Sequence, residues 1–244
     1  RVLATSGYAG GLLERVPEGA GWLDDPEDLR PRDRESLIKE ANSIAERHLT
    51  DSDAGGKALR HLRRRELLRL SMAAINGEID TPTLGRALSE LTEAYLEGAW
   101  RLAAQNIDGV EFALIAMGRF GGAELGFSSD ADVVYVVRDA GAGENTVARG
   151  NEMVKQIVAL TEDVLFPFEL DAGLRPEGKN GPLVRSLDAY QAYYERWALG
   201  WEAQALLRAR DVVGDQSLRD DFMALADTHR YPEQFPADAA REIR

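Results

Sequence analysis

The chain has 244 residues, of which 29% are charged, and a formal net charge of −13 at pH 7. This length can bury one or two hydrophobic cores, and the acidic balance argues against nucleic acid as a partner, because phosphate backbones select clustered Lys and Arg. The sequence contains no cysteine, which excludes disulfides and thiolate metal sites and is typical of a cytoplasmic protein. The apolar runs are too short to span a membrane, so no membrane association is expected. Because the chain begins at Arg1 rather than at methionine, we interpret it as a piece of a longer protein.

Up to about residue 105 the spacing of apolar residues predicts helices. Ser36 is predicted to cap the first of them, and Gly77 to end the second. Thr81 is predicted to cap a third helix, with Pro82 at its first position, where a missing N–H costs little. The basic run Arg63–Arg65 lies inside the second helix, and we interpret it as a solvated helix face rather than a nucleic-acid site.

After residue 109 strands and helices alternate. "GVEFALIAM" and "ADVVYVV" are typical of strands, and "FPFELDAGLRPEG" is strand-like as well until Pro176 stops it. A helix is predicted from Thr146 to Phe166, with an inner side formed by the apolar residues Val147, Met153, Ile157 and Val164. A further helix, capped by Ser186 and interrupted at Gly200, is predicted to run to Asp215, with only short helical turns after it.

The stretch "GRFGGAELGFSSDADVVYVV" contains the strongest functional signal. Asp130 and Asp132 are spaced to point to the same side of a strand, where their charges repel unless a cation lies between them. Gly121 and Gly122 either form a tight turn or let the backbone approach a phosphate, to which Ser129 would add a hydroxyl. Neither feature is specific by itself, but their combination predicts a site for a metal-bound phosphate.

A third carboxylate, Asp171, lies on the polar face of the later strand-like run. Three carboxylates can hold two Mg²⁺ ions, which bridge phosphates and activate an attacking oxygen. Arg175 and Lys179 follow closely and would balance the charge of a triphosphate, although ordinary surface charge is the alternative for both.

These residues resemble a known family. Gly-Gly, Asp130-x-Asp132 and a third aspartate are similar to the DNA polymerase β-type nucleotidyltransferase superfamily. More narrowly, "AMGRFGGAELGFSSDADVVYV", "LDAGLRPEGKNGPLVRS" and "YYERWALGWEAQALLRARDVVGD" resemble glutamine synthetase adenylyltransferase, the bifunctional adenylyltransferase/adenylyl-removing enzyme, over almost the whole chain. Arg119-Phe120 stands where members often have Lys-Leu, which affects only the role of Arg119.

The resemblance implies an α+β fold: a polymerase β-like nucleotidyltransferase domain with a small mixed sheet and helices, preceded by a helical domain. We place the helical domain at residues 1–105, the catalytic domain at 106–215, and the start of a following helical segment at 216–244.

The resemblance also implies the chemistry, which is transfer of AMP from MgATP to a tyrosine of glutamine synthetase. Asp130 and Asp132 would bind both metal ions. Asp171 would complete the ion that activates the tyrosine and act as its base. Gly121, Gly122 and Ser129 would hold the β and γ phosphates. Glutamine synthetase is the implied partner, together with the PII signalling protein acting through the full-length enzyme.

Members of this family carry two related halves, one that attaches AMP and one that removes it by phosphorolysis. Amino-terminal, removing copies usually read Glu-Leu-Asn where this chain reads Glu124-Leu125-Gly126, and the ending "HRYPEQFPADAAREIR" resembles carboxy-terminal copies of actinobacterial members. We therefore predict the adenylylating half. The alternatives are the removing half and a regulatory domain that keeps the fold without catalysis, against which the presence of all three carboxylates argues.

Overall fold

The structure is a computed structural model, and it describes residues 5–196 and 200–230. The segment 231–244, which contributed to the resemblance and to the predicted following segment, lies outside the described residues. The helices are α1 (Gly7–Arg15), α2 (Arg34–Arg47), α3 (Ser52–Asn76), α4 (Thr81–Ala104), α5 (Gly118–Gly121), α6 (Thr146–Thr161), α7 (Leu187–Arg196), α8 (Gly200–Leu206) and α9 (Gln216–Arg230). The strands are β1 (Val110–Ala116), β2 (Ala131–Asp139), β3 (Leu170–Asp171), β4 (Val184–Ser186) and β5 (Arg210–Gly214). Short 3₁₀ turns cover Pro17–Leu23, Pro26–Leu29, Gly143–Asn145 and Gly178–Asn180.

The chain forms two compact units. The first contains the chain up to Leu102 together with Ala123–Ser129 and Ala159–Phe168, and the second contains Ala103–Gly122, Asp130–Val158 and the chain from Glu169 onward. Two short segments of the later sequence therefore belong to the helical unit. The predicted boundaries at residues 105 and 215 stay predictions.

The first unit is helical, and α2, α3 and α4 confirm the helices predicted from the apolar spacing. Gly98 on α4 lies against Leu59 of α3, and Gly55 on α3 lies against Leu102 of α4. Since glycine has no side chain, these positions let the two helices approach closely. Gly77 ends α3 in the left-handed region, with φ 80°, as predicted.

Both predicted N-caps in this unit are wrong. Asp33 precedes α2, and its carboxylate accepts a hydrogen bond of 2.8 Å from the N–H of Ser36, which lies inside the first turn. Asp80 fills the same position before α4, where its carboxylate accepts a backbone N–H three residues on, so Thr81 is already helical. An aspartate caps at least as well as a hydroxyl residue, and Asp33 and Asp80 stand three residues and one residue before the predicted caps.

The prediction of a solvated basic face is also wrong. The side chain of Arg63 is buried, and its guanidinium donates to the carbonyl oxygen of Phe166 at 2.8 Å. It also lies 5.7 Å from the ring centre of Tyr95 and 5.1 Å from that of Phe168. Burial is tolerated because backbone carbonyls and aromatic faces replace water around the cation.

The two following arginines are paired with carboxylates. Arg64 makes two hydrogen bonds, of 2.8 and 2.7 Å, to Asp163, and Arg65 bonds to both Glu40 and Glu66. The carboxylate of Asp163 lies about 100 positions further along the sequence, so local periodicity could not reveal it. All three arginines thus hold the first unit together.

The second unit contains a mixed five-stranded sheet in the order β3-β2-β1-β5, with β4 also beside β2. β1 pairs antiparallel with β2 and with β5, whereas β3 and β4 each pair parallel with β2. Together with the helices this is the α+β class predicted from the sequence.

Each face of the sheet is covered by helices. One face packs in a core with α7, α8 and α9, formed by Ala113, Ile115, Met117, Val134, Val136, Tyr190, Tyr194, Leu206, Ala209, Leu218, Phe222 and Ala226. On the other face Gly150 of α6 lies directly against Val137 of β2 and Val184 of β4. The alternation of β1 and β2 residues between the two faces follows the period of two of a strand.

Several predictions for the second unit need correction. Residues 210–214 were predicted to be helical but form β5, with Val212 and Val213 buried, because β1 offers a free edge to pair with. The chain after Asp215 forms a full helix, α9, rather than short turns. Within the predicted inner side of α6, Val147 is 40% exposed, and Val164 lies beyond the end of the helix and is 85% exposed.

The strand-like run that was predicted from residue 166 to Pro176 reduces to the two residues of β3. Ser186 caps α7 as predicted, its hydroxyl accepting the N–H of Ala189 at 3.2 Å. Residues 197–199, before the predicted interruption at Gly200, lie outside the described residues. Among the helices that the structure describes, none is both long enough and apolar enough for a membrane span.

Candidate active site

The carboxylates predicted from the sequence meet at one end of β2. Asp132 is the second residue of β2, and the parallel pairing places it directly beside Asp171 of β3. A backbone hydrogen bond of 2.9 Å from the N–H of Ala131 to the carbonyl oxygen of Glu169 fixes this register. Asp130 is exposed and immediately precedes the strand. A two-residue strand is short, but it is enough to align two carboxylates.

The short helix α5 and the residue before it contact Asp132. The N–H of Met117 donates to the backbone oxygen of Asp132 at 2.8 Å, and the N–H of Arg119 donates to its carboxylate. Gly118 lies between these two contacts with φ 49°, and a Cβ atom there would overlap the carboxylate of Asp132. Glycine is therefore required at position 118 on two grounds, backbone conformation and space.

The environment of Asp132 opposes its charge. Burial raises the pKa of Asp132 above its ordinary value, and the nearby charges of Asp171 and Asp130 raise it further. The N–H of Arg119 and its guanidinium act in the opposite direction and do not cancel the effect. The charge of Asp132 is thus close enough to those of Asp171 and Asp130 to be repelled by both.

The positions of their oxygens do not form a finished metal site. In the range 5–196 and 200–230, no group of three or more His, Asp or Glu side chains is arranged to hold one ion. One carboxylate oxygen of Asp171 accepts a hydrogen bond of 2.7 Å from the N–H of Gly173. The three-aspartate metal site accordingly stays a prediction.

The glycine pair is placed in α5 and at its end rather than in an open loop. A Cβ atom on Gly121 would overlap the carbonyl oxygen of Arg208, so this glycine permits a close backbone approach within the protein. Gly122 is exposed, and a guanidinium nitrogen of Arg208 would lie 3.2 Å from a Cβ atom built on it. The approach of Gly121 to Arg208 is a third reason for a glycine there, beside the predicted tight turn and phosphate contact, and Gly122 is the more exposed of the pair.

Arg175 and Lys179 lie on the loop that joins β3 to β4. The guanidinium of Arg175 donates to the carbonyl oxygens of Ala172, Lys179 and Gly181 at 2.8, 3.2 and 3.1 Å. In this structure Arg175 therefore braces the loop, a function that the sequence did not predict. The side chain of Lys179 is exposed at the tip of the same loop.

Ser129 belongs to the first unit, although its chain neighbour Asp130 belongs to the second. Its hydroxyl accepts a hydrogen bond of 3.0 Å from the N–H of Gly126, and its own N–H donates to the carbonyl of Gly126. Ser129 thus closes a tight turn immediately before the aspartates. Its predicted contact with phosphate stays a prediction.

Two residues beside the site were not singled out from the sequence. Arg210, at the start of β5, donates to the carbonyl oxygens of Gly121 and Phe120 at 3.1 and 3.0 Å and so secures the end of α5. Gly118, discussed above, is the second. Both were inside motifs quoted for the resemblance, but neither spacing nor residue type distinguished them from their neighbours.

The mixed sheet, the helices on both its faces and the aspartates at the end of β2 define an α+β nucleotidyltransferase-like domain. Comparison with known families agrees, because the model of the family described as glutamate-ammonia ligase adenylyltransferase matches residues 1–225. The chain belongs to that family.

Curated relatives support the assignment. The chain is 50% identical over 248 residues to the bifunctional glutamine synthetase adenylyltransferase/adenylyl-removing enzyme of Leifsonia xyli subsp. xyli, in an alignment covering 100% of the chain and 24% of the relative. The enzymes of the same name from Streptomyces coelicolor and Cutibacterium acnes are 43% and 40% identical, over 100% and 95% of the chain and 27% and 23% of the relatives. The chain thus spans about a quarter of the length of the relatives it matches.

Proposed function

We propose that this chain is an adenylylating domain, which transfers AMP from MgATP to a tyrosine hydroxyl of glutamine synthetase, releases pyrophosphate and lowers the activity of the synthetase. The family match and the names of the relatives support the reaction class and the protein substrate. The structural observation that carries the proposal is the parallel register that sets Asp132 beside Asp171. The PII signalling protein, as a partner through the full-length enzyme, is proposed on the resemblance alone.

The aspartates at the end of β2 suit magnesium by the chemistry of their oxygens, although these oxygens are not arranged around one ion. Carboxylate oxygens are the ligands that Mg²⁺ prefers, and a divalent cation would offset the repulsion that raises the pKa of Asp132. Asp130 and Asp132 would hold two ions, and Asp171 would join them once its oxygen leaves the N–H of Gly173. Bound Mg²⁺ would neutralise phosphate charge and activate the attacking oxygen.

The reaction is a displacement at the α-phosphorus of ATP. The tyrosine oxygen forms a bond to this phosphorus as the bond to the pyrophosphate oxygen breaks, and Asp171 accepts the phenolic proton. The exposed backbone of Gly122, with Gly121 and Lys179, would hold the β and γ phosphates. Such catalysis depends on positioning and charge stabilisation.

The direction of the reaction is proposed from Gly126, which stands where removing copies usually have asparagine. The opposite direction is the second candidate, because the relatives are named for both activities. It would use phosphate to release ADP from adenylylated synthetase, at the same carboxylates.

A pair of assays distinguishes the candidates. The chain is incubated with ATP labelled at the α-phosphate, Mg²⁺ and unmodified glutamine synthetase, and separately with phosphate and adenylylated synthetase. We expect label on the synthetase in the first assay and little ADP in the second, with Asp132→Asn as the inactive control. ADP release without labelling would assign the removing half, and neither activity, together with no binding of MgATP, would favour a regulatory domain.

A further inference from the structure

The loop between β3 and β4, residues 172–183, is held in a defined shape. It begins directly after Asp171 and carries Arg175 and Lys179. Besides the three carbonyl contacts of Arg175, the backbone N–H of Gly178 donates to the carbonyl oxygen of Arg175 at 2.8 Å. These bonds lie inside the loop and do not by themselves fix it to the rest of the unit.

The backbone of this loop is strained at one position. Glu177 has φ 64° and ψ 11°, the left-handed region that residues with a side chain seldom adopt. Such a conformation persists where surrounding contacts hold it in place. The contacts that hold Glu177 therefore decide the position of the loop.

Glu202, on α8, makes the main contact. Its side chain is buried, with 2% relative exposure, and its carboxylate accepts a hydrogen bond of 3.1 Å from the backbone N–H of Glu177. The hydroxyl of Tyr193, on α7, also donates to this carboxylate, with distances of 2.9 and 3.1 Å to its two oxygens. A buried carboxylate is tolerated when such donors satisfy it, and here one of them is the strained loop residue.

Arg185 completes the attachment from the far end of the loop. Its guanidinium pairs with the carboxylate of Glu177 and lies 5.2 Å from the ring centre of Tyr193. The side chain of Glu177 and its backbone N–H are thus held by two different elements, β4 and α8. Glu202 lies in the stretch "YYERWALGWEAQALLRARDVVGD", which carries the resemblance but no predicted site residue.

We propose that Glu202 is a positioning residue for nucleotide binding: it latches the loop 172–183 through the N–H of Glu177 and so holds Lys179 toward the triphosphate. This inference rests on the proposed function for its role in nucleotide binding. In this proposal Glu202 does not itself contact the nucleotide. It acts through the backbone of the loop, so its loss frees a segment that starts next to Asp171.

Limited digestion with trypsin tests the latch without any activity measurement. Within the loop only the bond after Lys179 is open to trypsin, because Arg175 is followed by Pro176. We expect Glu202→Ala to raise the rate of cleavage after Lys179 by about tenfold, since cleavage follows the population of the opened loop. Cleavage after Lys155, an exposed residue of α6, is the internal reference and should not change.

Two further variants separate positioning from general loss of structure. Glu202→Gln keeps an oxygen that can accept from Glu177 and Tyr193, so its cleavage should stay within about twofold of wild type. Glu195→Ala, on the exposed side of α7, is the matched control. Equal acceleration after Lys179 and Lys155 in Glu202→Ala, or no acceleration at either, would overturn the proposal.

Equilibrium binding of MgATP tests the second part of the proposal, which is the effect of Glu202 on nucleotide binding. We expect Glu202→Ala to weaken binding by about tenfold, on the scale of a residue that supports a binding group, and Glu202→Gln to restore it. The double variant with Lys179→Ala should bind no more weakly than Lys179→Ala alone, because Glu202 acts through that lysine. Additive losses would overturn the link to Lys179. If the wild-type chain binds no MgATP, the proposed function fails, and the digestion still decides the latch.

Discussion

At the scale of single residues, Asp132 is subject to opposing requirements. Its burial and its aspartate neighbours disfavour its charge, yet a metal ligand must carry that charge. Because the pKa of Asp132 is raised in the folded protein, the folded state loses stability as the pH rises through that pKa. A bound cation would stabilise the charged form of Asp132 and so stabilise the folded state. The change in melting temperature on adding the cation therefore reports on metal binding.

We expect Asp132→Asn to raise the melting temperature at neutral pH in the presence of a chelator, because the amide carries no charge. Added Mg²⁺ should raise the melting temperature of the wild type and leave that of the variant unchanged. AMP transfer should fall by more than about 100-fold, beyond the range of a residue that only supports a ligand. Glu144→Gln, an exposed carboxylate elsewhere in the unit, is the control. A melting temperature that Mg²⁺ raises equally in both proteins would contradict the assignment of Asp132 as a ligand.

Gly118 permits a second test, with a matched control in the same unit. Gly118 and Gly143 have similar φ angles, 49° and 57°, but a Cβ atom meets Asp132 only at position 118. Gly143→Ala should therefore cost only the left-handed strain, about 1 kcal/mol, whereas Gly118→Ala should cost at least about 2 kcal/mol. Urea denaturation measures both. Equal losses would mean that the clash with Asp132 is relieved by a shift of α5.

At the scale of elements, the sequence predicted features that depend on local spacing better than features that depend on a distant partner. The apolar spacing predicted α2, α3 and α4, and the β-branched run predicted β2, because both signals lie within one element. β5 was missed because "RARDVVGD" continues the preceding helical spacing, and only the free edge of β1 makes it a strand. The pairing of Arg64 with Asp163 was missed for the same reason, since the partner lies far along the sequence.

The pair of Arg64 and Asp163 should contribute measurably to the stability of the first unit. Burial alone would raise the pKa of Asp163, but hydrogen bonds from Arg64 and from the N–H groups of Phe166 and Leu165 hold it below its ordinary value. The resulting stability is present above the pKa of an unfolded aspartate and is lost as the pH falls through the lowered folded value.

We expect Asp163→Asn to lower the free energy of unfolding by about 2 kcal/mol at neutral pH, the scale of a lost hydrogen bond between charged groups. The difference from wild type should shrink as the pH falls below about 4. Glu152→Gln, which removes an exposed carboxylate, should change the free energy by less than about 0.5 kcal/mol. Denaturation at several pH values checks the trend, and a difference that grows toward acid would contradict it.

At the scale of the whole molecule, the sequence contains signals for the order of the parts but none for which distant segments join one unit. The three aspartates were found in order because glycines, a β-branched run and a polar strand face are local signals, and their meeting at one end of β2 follows from the sheet. The assignment of Ala123–Ser129 and Ala159–Phe168 to the helical unit has no local signal, because it depends on which distant surfaces these segments cover. The hydrogen bond from the N–H of Glu177 to Glu202 has no local signal for the same reason, because the two residues are far apart in the sequence.

The predicted catalytic domain ends at Asp215, but α9 contributes to the core of the second unit. Leu218 and Phe222 are fully buried, and the ring of Phe222 meets that of Tyr190 edge-on at 5.2 Å. Removing α9 would expose the face of the sheet formed by Ile115 and Val134 to water.

A chain truncated after Asp215 should therefore lose cooperative unfolding of the second unit and bind a hydrophobic dye, whereas one truncated after Arg230, which keeps α9, should still unfold cooperatively. Phe222→Ala in the full chain separates the loss of packing from the loss of length, and should cost about 3 to 5 kcal/mol. Calorimetry and dye fluorescence on the two truncated chains and on Phe222→Ala measure these differences. A truncation after Asp215 that unfolds cooperatively at the wild-type temperature would show that the sheet and α7 form a complete core by themselves, and would place the end of the catalytic domain at the predicted boundary.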